Sequence, residues 1–89
     1  SVERKGQLIE ALIRHPKIKQ VRRMGLLFAF DFENETLVNS IVQYAKDHGV
    51  ICYWFLSHPY SFRIAPPLTI TDEEIKKACK IILEAIEQA

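Results

Sequence analysis

Residues 61–71 read Ser-Phe-Arg-Ile-Ala-Pro-Pro-Leu-Thr-Ile-Thr and join a strand pattern to a helix pattern. Side chains alternate in character at the start, which predicts a strand from about Tyr60 to Ala65. The two prolines that follow cannot donate backbone hydrogen bonds, so the strand ends there. Thr71 and Glu74 have the spacing of a capping box, which predicts that a helix begins directly afterwards.

The strand carries one permanent positive charge, Arg63, among apolar and small residues. Alternation predicts two faces, one with Tyr60, Phe62 and Ile64 and the other with Ser61, Arg63 and Ala65. A guanidinium keeps its proton at any accessible pH, so even partial burial requires an anion or several acceptors. Arg63 is therefore a candidate anion-binding residue that can grip a carboxylate through paired hydrogen bonds. The alternative is an arginine on a solvent-exposed face, where charged side chains mostly lie.

Working outward, hydrophobic periodicity predicts three helices and four strands. One helix is expected over about residues 2–14, a second from a cap at Asn34 to a stop at Gly49, and a third from Thr71 onward. Two strands are expected on either side of Gly25. A third strand is expected over residues 50–56 and a fourth over residues 60–65, with a loop at residues 57–59 between them. The order α-β-β-α-β-β-α favours an α+β fold, a two-layer sandwich in which helices cover one face of a small, mainly antiparallel sheet.

Length and composition restrict the function further. The chain has 89 residues, 48% of them hydrophobic, and a formal net charge of +1. One domain spanning residues 1–89 is expected, which is too short for a cofactor fold together with a substrate fold. We expect a cytoplasmic setting because the sequence has neither a signal-peptide pattern nor an apolar run long enough to cross a membrane. Cys52 and Cys79 are predicted to be reduced core thiols, and the histidines have no metal-ligand spacing.

Residues 14–23 contain a basic cluster, which raises a nucleic-acid-binding alternative. Its members are Arg14, His15, Lys17, Lys19, Arg22 and Arg23. No aromatic alternation or known nucleic-acid motif accompanies the cluster, so a solvated surface is the favoured interpretation and no nucleic-acid partner is expected. A second alternative is a stand-alone regulatory module that binds a small ligand.

Two segments of the chain resemble the C-terminal part of class III (fold type I) aminotransferases, the group that includes acetylornithine and ornithine aminotransferases. Residues 21–32 are similar to the family's V-R-G-x-G-L-hydrophobic strand pair. Residues 62–71 are similar to its R-hydrophobic-x-P-P-L-x-I-T segment, and residues 49–51 fit the G-V-hydrophobic strand between the two. The resemblance covers essentially the whole chain in the family's order.

The resemblance implies a function that depends on a longer polypeptide. It implies that Arg63 binds the α-carboxylate of an amino-acid substrate and that the enzyme transfers an amino group between an amino acid and a 2-oxo acid. It also implies pyridoxal 5′-phosphate (PLP), held by a large domain of the same chain in a homodimer. No lysine here resembles the family's cofactor-lysine motif, so no catalytic, cofactor-binding or metal-binding residue is assigned. The 89 residues are expected to be an inactive fragment when isolated.

The sequence departs from the family pattern at two places. Arg23 replaces a usual glycine, which is expected to alter the turn near Gly25. The run from Tyr53 to Leu56 is bulkier than the family's glycine-containing segment, and it is expected to narrow the substrate pocket. Its aromatic members, from Tyr53 to Phe55, are also candidates for an apolar surface that packs against the large domain.

Overall fold

The structure is a computed structural model that describes residues 2–50, 56–58 and 60–89. These residues form α1 (Val2–Leu12), β1 (Gln20–Met24), β2 (Leu27–Asp31), α2 (Glu35–Asp47), β3 (Leu56–His58), β4 (Ser61–Ile64) and α3 (Asp72–Gln88). The observed order is the predicted order. The α+β prediction is therefore confirmed.

The described strands make one sheet with the order β1-β2-β4-β3, and each neighbouring pair is antiparallel. β2 and β4, the two central strands, are brought together although α2 and β3 lie between them in the chain. In this pairing Ala29 lies opposite Arg63, and Phe30 lies opposite Phe62. The register therefore fixes the position of Arg63 at the centre of the sheet.

Local sequence signals explain where the elements begin and end. Gly25 has a φ of 61°, a left-handed conformation that favours glycine, and it makes the tight turn between β1 and β2. The Asn34 side chain accepts a hydrogen bond from the Leu37 backbone at the start of α2. The Thr71 hydroxyl accepts from the Glu74 backbone, while the Glu74 carboxylate accepts from the Thr71 backbone, so the predicted capping box is present.

The core lies between one face of the sheet and the three helices. Phe28, Phe30 and Phe62 are fully buried, and their ring centroids lie 5.2–5.7 Å from a neighbouring phenylalanine ring. The helices and the residue after α1 contribute a set of buried aliphatic side chains, namely Ile9 of α1, Ile13 just after α1, Val38 and Ile41 of α2, and Ile75, Ile82 and Ile86 of α3. Burying such side chains supplies the main favourable free energy of folding.

Several predicted boundaries were wrong by a few residues. α1 ends at Leu12 rather than at residue 14, although the Ile13 backbone still donates to the Ile9 carbonyl at 3.0 Å. Ser57 and His58 belong to β3 and not to a loop, because cross-strand pairing with β4 extends the strand to them. Predictions for residues 51–55 lie outside the described residues.

The predicted strand β4 was also too long at both ends. Tyr60 lies in a turn with a relative exposure of 62%, so it does not join Phe62 and Ile64 in the core. β4 ends at Ile64, one residue before the predicted end at Ala65. The inward positions of Phe62 and Ile64 are confirmed, because both side chains are buried.

Candidate anion-binding site

The sheet has two chemically different faces. The helix-covered face presents Phe28, Phe30, Phe62 and Ile64 to the core. Because successive strand residues point to opposite sides, the alternate residues lie on the other face, which we call the open face. Its described positions are Gln20, Arg22 and Met24 of β1, Leu27, Ala29 and Asp31 of β2, Leu56 and His58 of β3, and Ser61 and Arg63 of β4.

Arg63 occupies the centre of the open face. Its cross-strand neighbours are Ala29 on β2 and Leu56 on β3. Ala29 is small and only 8% exposed, so the Arg63 guanidinium has a short side chain beside it. Arg63 itself is half-buried, and within residues 2–50, 56–58 and 60–89 its guanidinium forms no hydrogen bond or ion pair. In the described part of the chain, this charge therefore faces its surroundings without an anion.

The acidic residue of the open face, Asp31, is engaged by another arginine. Arg22 Nη2 donates to Asp31 Oδ1 at 2.6 Å. The Asp31 side chain is 23% exposed, while the Arg22 side chain is half exposed. The charged partner of Asp31 therefore lies on β1, on one side of β2, whereas Arg63 lies on β4, on the other side of β2.

Arg23 projects to the helix-covered face and is bonded on several sides. Its guanidinium donates to Glu10 Oε1 at 2.9 Å, to Glu3 Oε2 at 2.8 Å and to the Gly25 carbonyl at 3.1 Å. Its Cζ atom lies 6.0 Å from the centroid of the Phe28 ring. The hydrogen bonds and charge of Arg23 lower the pKa of the Glu3 carboxyl below its ordinary value. Arg23 thus ties α1 to the first hairpin of the sheet.

Known proteins share both the sequence pattern and the fold of this chain. The family model "Aminotransferase class-III" matches residues 3–86. The chain belongs to the class III aminotransferases.

Curated class III relatives align over nearly the whole chain. The acetylornithine aminotransferase of Haemophilus ducreyi is 30% identical over 98% of this chain and 22% of its own length. The mitochondrial ornithine aminotransferase of Oryza sativa subsp. japonica is 36% identical over 96% of this chain and 19% of its own length. The chain therefore spans about a fifth of the length of these relatives.

Solved structures of the ornithine aminotransferase from Toxoplasma gondii share the fold. One is 28% identical with a TM-score of 0.82, and it covers 98% of this chain and 22% of that chain. Another is 31% identical with a TM-score of 0.74, has the same coverage, and shows partial occupancy of PLP at the active site of that enzyme. The suspected resemblance and the fold are both confirmed.

The turn beside Arg23 keeps its tight form in this class III chain. Met24 pairs with Leu27 across the turn, and Gly25 has a positive φ. The effect of Arg23 on this turn stays a prediction, and the hydrogen bonds of its guanidinium place the long side chain toward α1. An ideal Cβ atom on Gly6 would lie 2.5 Å from Arg23 Nη1. The absence of a side chain at Gly6 therefore provides the space that the guanidinium occupies.

The predicted basic cluster is divided among separate contacts. Lys17 Nζ donates to the Ile86 and Ala89 carbonyls at the end of α3, at 3.1 and 2.8 Å. Arg22 is bonded to Asp31, and Arg23 is bonded to α1. Three of the cations therefore serve intramolecular contacts on different parts of the fold, which weighs against one continuous surface for nucleic acid.

Other candidate groups offer no chemistry in the described part of the chain. Cys79 is buried, and burial raises the pKa of its thiol to about 12, so it stays protonated near neutral pH. Cys52 and the run from Tyr53 to Phe55 lie outside the described residues. Among residues that are described, no cluster of metal-ligating side chains is found, and no helix has the length and apolar character required to cross a membrane.

The sequence analysis missed the Arg22–Asp31 pair. A signal for it was present, because a hairpin that turns at Gly25 places position 22 opposite position 29, and position 31 is two residues further along the same face. Opposite charges at such diagonal positions can pair when one side chain is long. We had included Arg22 only as a member of the basic cluster.

Proposed function

We propose that this chain is the small C-terminal domain of a PLP-dependent class III aminotransferase and that Arg63 binds the α-carboxylate of the amino-acid substrate. The observation that carries the proposal is the central position of Arg63 on the open face, beside Ala29 and without an anionic partner in the described residues. A guanidinium in such a position is suited to an incoming carboxylate. The family membership supplies the reaction class.

The mounting of Arg63 suits a positioning role. β4 lies between two other strands, so its backbone is hydrogen-bonded on both sides. Pro66 and Pro67 follow directly and restrict the backbone, and the Pro66 ring is buried. A planar guanidinium binds a carboxylate through two parallel hydrogen bonds, which fixes orientation as well as position. Hydrogen bonds to charged groups contribute about 1.5–3 kcal/mol each, enough to orient a substrate.

The described residues do not by themselves fit a PLP site. PLP acts as an electron sink when it is bound, and it requires a lysine for covalent attachment. The described open-face positions include no lysine. Lys5 and Lys17 donate to backbone carbonyls, and the remaining lysines are exposed at positions away from the open face, namely Lys19, Lys46, Lys76, Lys77 and Lys80. We therefore assign the cofactor to a large domain of the same polypeptide.

The complete enzyme, in this proposal, is a homodimer that transfers an amino group between an amino acid and a 2-oxo acid. The large domain supplies the cofactor half of the pocket, and the open face supplies the substrate-carboxylate half. Isolated residues 1–89 are then inactive, because only one half of the pocket is present. The proposal predicts that the open face points toward the large domain.

The test is steady-state kinetics of the full-length enzyme with Arg63→Lys and Arg63→Gln. Arg63→Gln should lower kcat/KM for L-glutamate by at least about a hundredfold, since two hydrogen bonds to a charged group, about 3 kcal/mol or more together, are lost and 1.4 kcal/mol corresponds to a factor of ten. Arg63→Lys should have a kcat/KM between those of wild type and Arg63→Gln, because an ammonium keeps the charge but lacks the planar pair of donors. The absorbance of the bound cofactor should stay unchanged in both.

Arg4→Lys is the matched control, because Arg4 pairs with Asp72 between α1 and α3, away from the open face. It should leave kcat/KM near the wild-type value. Wild-type kinetics in both Arg63 variants would remove Arg63 from the substrate site.

A further inference from the structure

Asp31 occupies a diagonal position between two arginines on the open face. Ala29 lies directly opposite Arg22 on β1 and directly opposite Arg63 on β4. Asp31 is two residues further along β2, so it lies on the same face and diagonal to both arginines. Diagonal neighbours in a sheet are about 7–8 Å apart, within reach of a long side chain. The register alone thus gives Asp31 two candidate partners.

In the structure Asp31 pairs with Arg22, at 2.6 Å, and it has no ion pair with Arg63. The partly buried position of Asp31 matters, because a carboxylate that is shielded from water favours a charged partner more strongly than an exposed one. Arg22 and Arg63 are the described basic residues at open-face positions of β1 and β4, the two strands that flank β2, and His58 lies one strand further away on β3. If Arg22 were absent, Arg63 would be the described arginine left at an open-face position on a strand next to β2.

We infer that Arg22 is a positioning residue that holds Asp31 away from Arg63 and thereby keeps Arg63 available for a substrate carboxylate. Arg22 has two effects in this arrangement. It occupies the Asp31 carboxylate, and it compensates a negative charge that would repel an incoming anion. The inference rests on the proposed role of Arg63. It adds that Asp31 competes with the substrate carboxylate for Arg63 and that Arg22 prevents this competition.

The test is kinetics of Arg22→Gln, Arg22→Lys and the double variant Arg22→Gln/Asp31→Asn in the full-length enzyme. Arg22→Gln should raise KM for L-glutamate about five- to tenfold with little change in kcat, because Asp31 then competes with the substrate carboxylate. The double variant should recover a KM near that of wild type, since asparagine carries no charge. Arg22→Lys should retain a low KM because it still offers Asp31 a cation.

The split between KM and kcat separates this role from a structural one. If Arg22 only supported the fold, Arg22→Gln would lower kcat and the melting temperature, whereas competition by Asp31 raises KM alone. A lowered kcat without a raised KM, or a double variant as impaired as Arg22→Gln, would overturn the inference. An unchanged KM in Arg22→Gln would overturn it too. Thermal unfolding of each variant checks that KM is measured on folded enzyme, and Arg4→Gln, which breaks an ion pair remote from the sheet, is the control.

The outcome can be distinguished from failure of the proposed function. If Arg63→Gln leaves kcat/KM unchanged, the role of Arg63 is wrong. If Arg63→Gln lowers kcat/KM strongly while Arg22→Gln has no effect on KM, Arg63 binds substrate and the restraint of Asp31 is wrong.

Discussion

Arg23 and Arg63 lie in the same sheet but on opposite faces, and their surroundings differ. Arg23 is on the helix-covered face, where Glu3, Glu10 and the Gly25 carbonyl accept its hydrogen bonds and its side chain is only 17% exposed. Arg63 is on the open face and makes no such contact with the described residues. The Arg23 guanidinium holds α1 to the sheet, whereas the Arg63 guanidinium contributes no such contact within the described part of the chain.

The difference extends to the faces as a whole. The helix-covered face is filled by aromatic and aliphatic side chains that leave little space for a ligand. The open face carries charged residues together with exposed apolar ones, among them Met24 and Leu27 near the first turn. Stability is therefore expected to depend mainly on one face, and substrate recognition on the other.

The largest effect on stability should follow from truncation in the helix-covered face. Phe62→Ala should lower the free energy of unfolding by about 3–5 kcal/mol, because it removes a fully buried ring and leaves a cavity. Leu27→Ala, at a half-exposed position of the open face, should change it by less than about 1 kcal/mol. Urea unfolding of the two variants measures both values, and similar losses would contradict the assigned difference between the faces.

A smaller loss of stability should follow from Gly6→Ala, which tests the packing of α1 against Arg23 of the helix-covered face. The added Cβ atom would lie 2.5 Å from Arg23 Nη1 and 2.9 Å from the Gly25 carbonyl oxygen. We expect a loss of about 1–3 kcal/mol in the free energy of unfolding from this overpacking. Alanine normally stabilises a helix interior by about 1 kcal/mol relative to glycine, so a gain in stability would show that α1 does not pack on Arg23 as described.

Ala11→Gln is the control for the same helix, because Ala11 is exposed and glutamine is also a good helix former. It should leave the midpoint of urea unfolding nearly unchanged.

The smallest effect should be a loss of stability in acid. Arg23 lowers the pKa of Glu3 below its ordinary 4.5, and Arg4 lowers the pKa of Asp72 below its ordinary 3.8. The folded-state pKa values are depressed, so these contributions are present above the ordinary values and are lost as pH falls through the lowered ones. The melting temperature should therefore decrease from pH 6 to pH 2.

In Arg23→Gln the melting temperature should decrease less between pH 6 and pH 2 than in wild type, because Glu3 then loses the partner that lowers its pKa. Arg63→Gln is the comparison on the open face, and its pH dependence of melting should follow that of wild type. A wild-type pH dependence in Arg23→Gln would contradict the role given to the Arg23 contacts.

Much of the fold could be predicted from sequence because its signals are local. Alternation in residues 28–32, the Asn34 cap and the Thr71 capping box each depend on a few neighbouring residues, and the structure confirms each of them. The element order followed directly. The ends of β4 were less predictable because strand length depends on pairing with β2 and β3, which lie elsewhere in the chain.

The candidate site could be predicted only in part. Arg63 was identified as an anion-binding candidate from strand alternation, and the family resemblance suggested which anion. The partners of Arg23 and Asp31 required the register and the packing of α1, since Glu3 and Glu10 are distant from Arg23 in sequence. Sequence periodicity assigned both arginines to strands but did not show which one is satisfied within the fold.

The central claim is that Arg63 contacts the substrate α-carboxylate, and a substrate comparison tests it most directly. L-glutamate and 4-aminobutyrate differ by that carboxylate, so the ratio of their kcat/KM values in the full-length enzyme measures how much the enzyme gains from binding it. We expect Arg63→Gln to reduce the wild-type ratio by at least about a hundredfold. A ratio that stays at the wild-type value, with both substrates affected equally, would contradict the account.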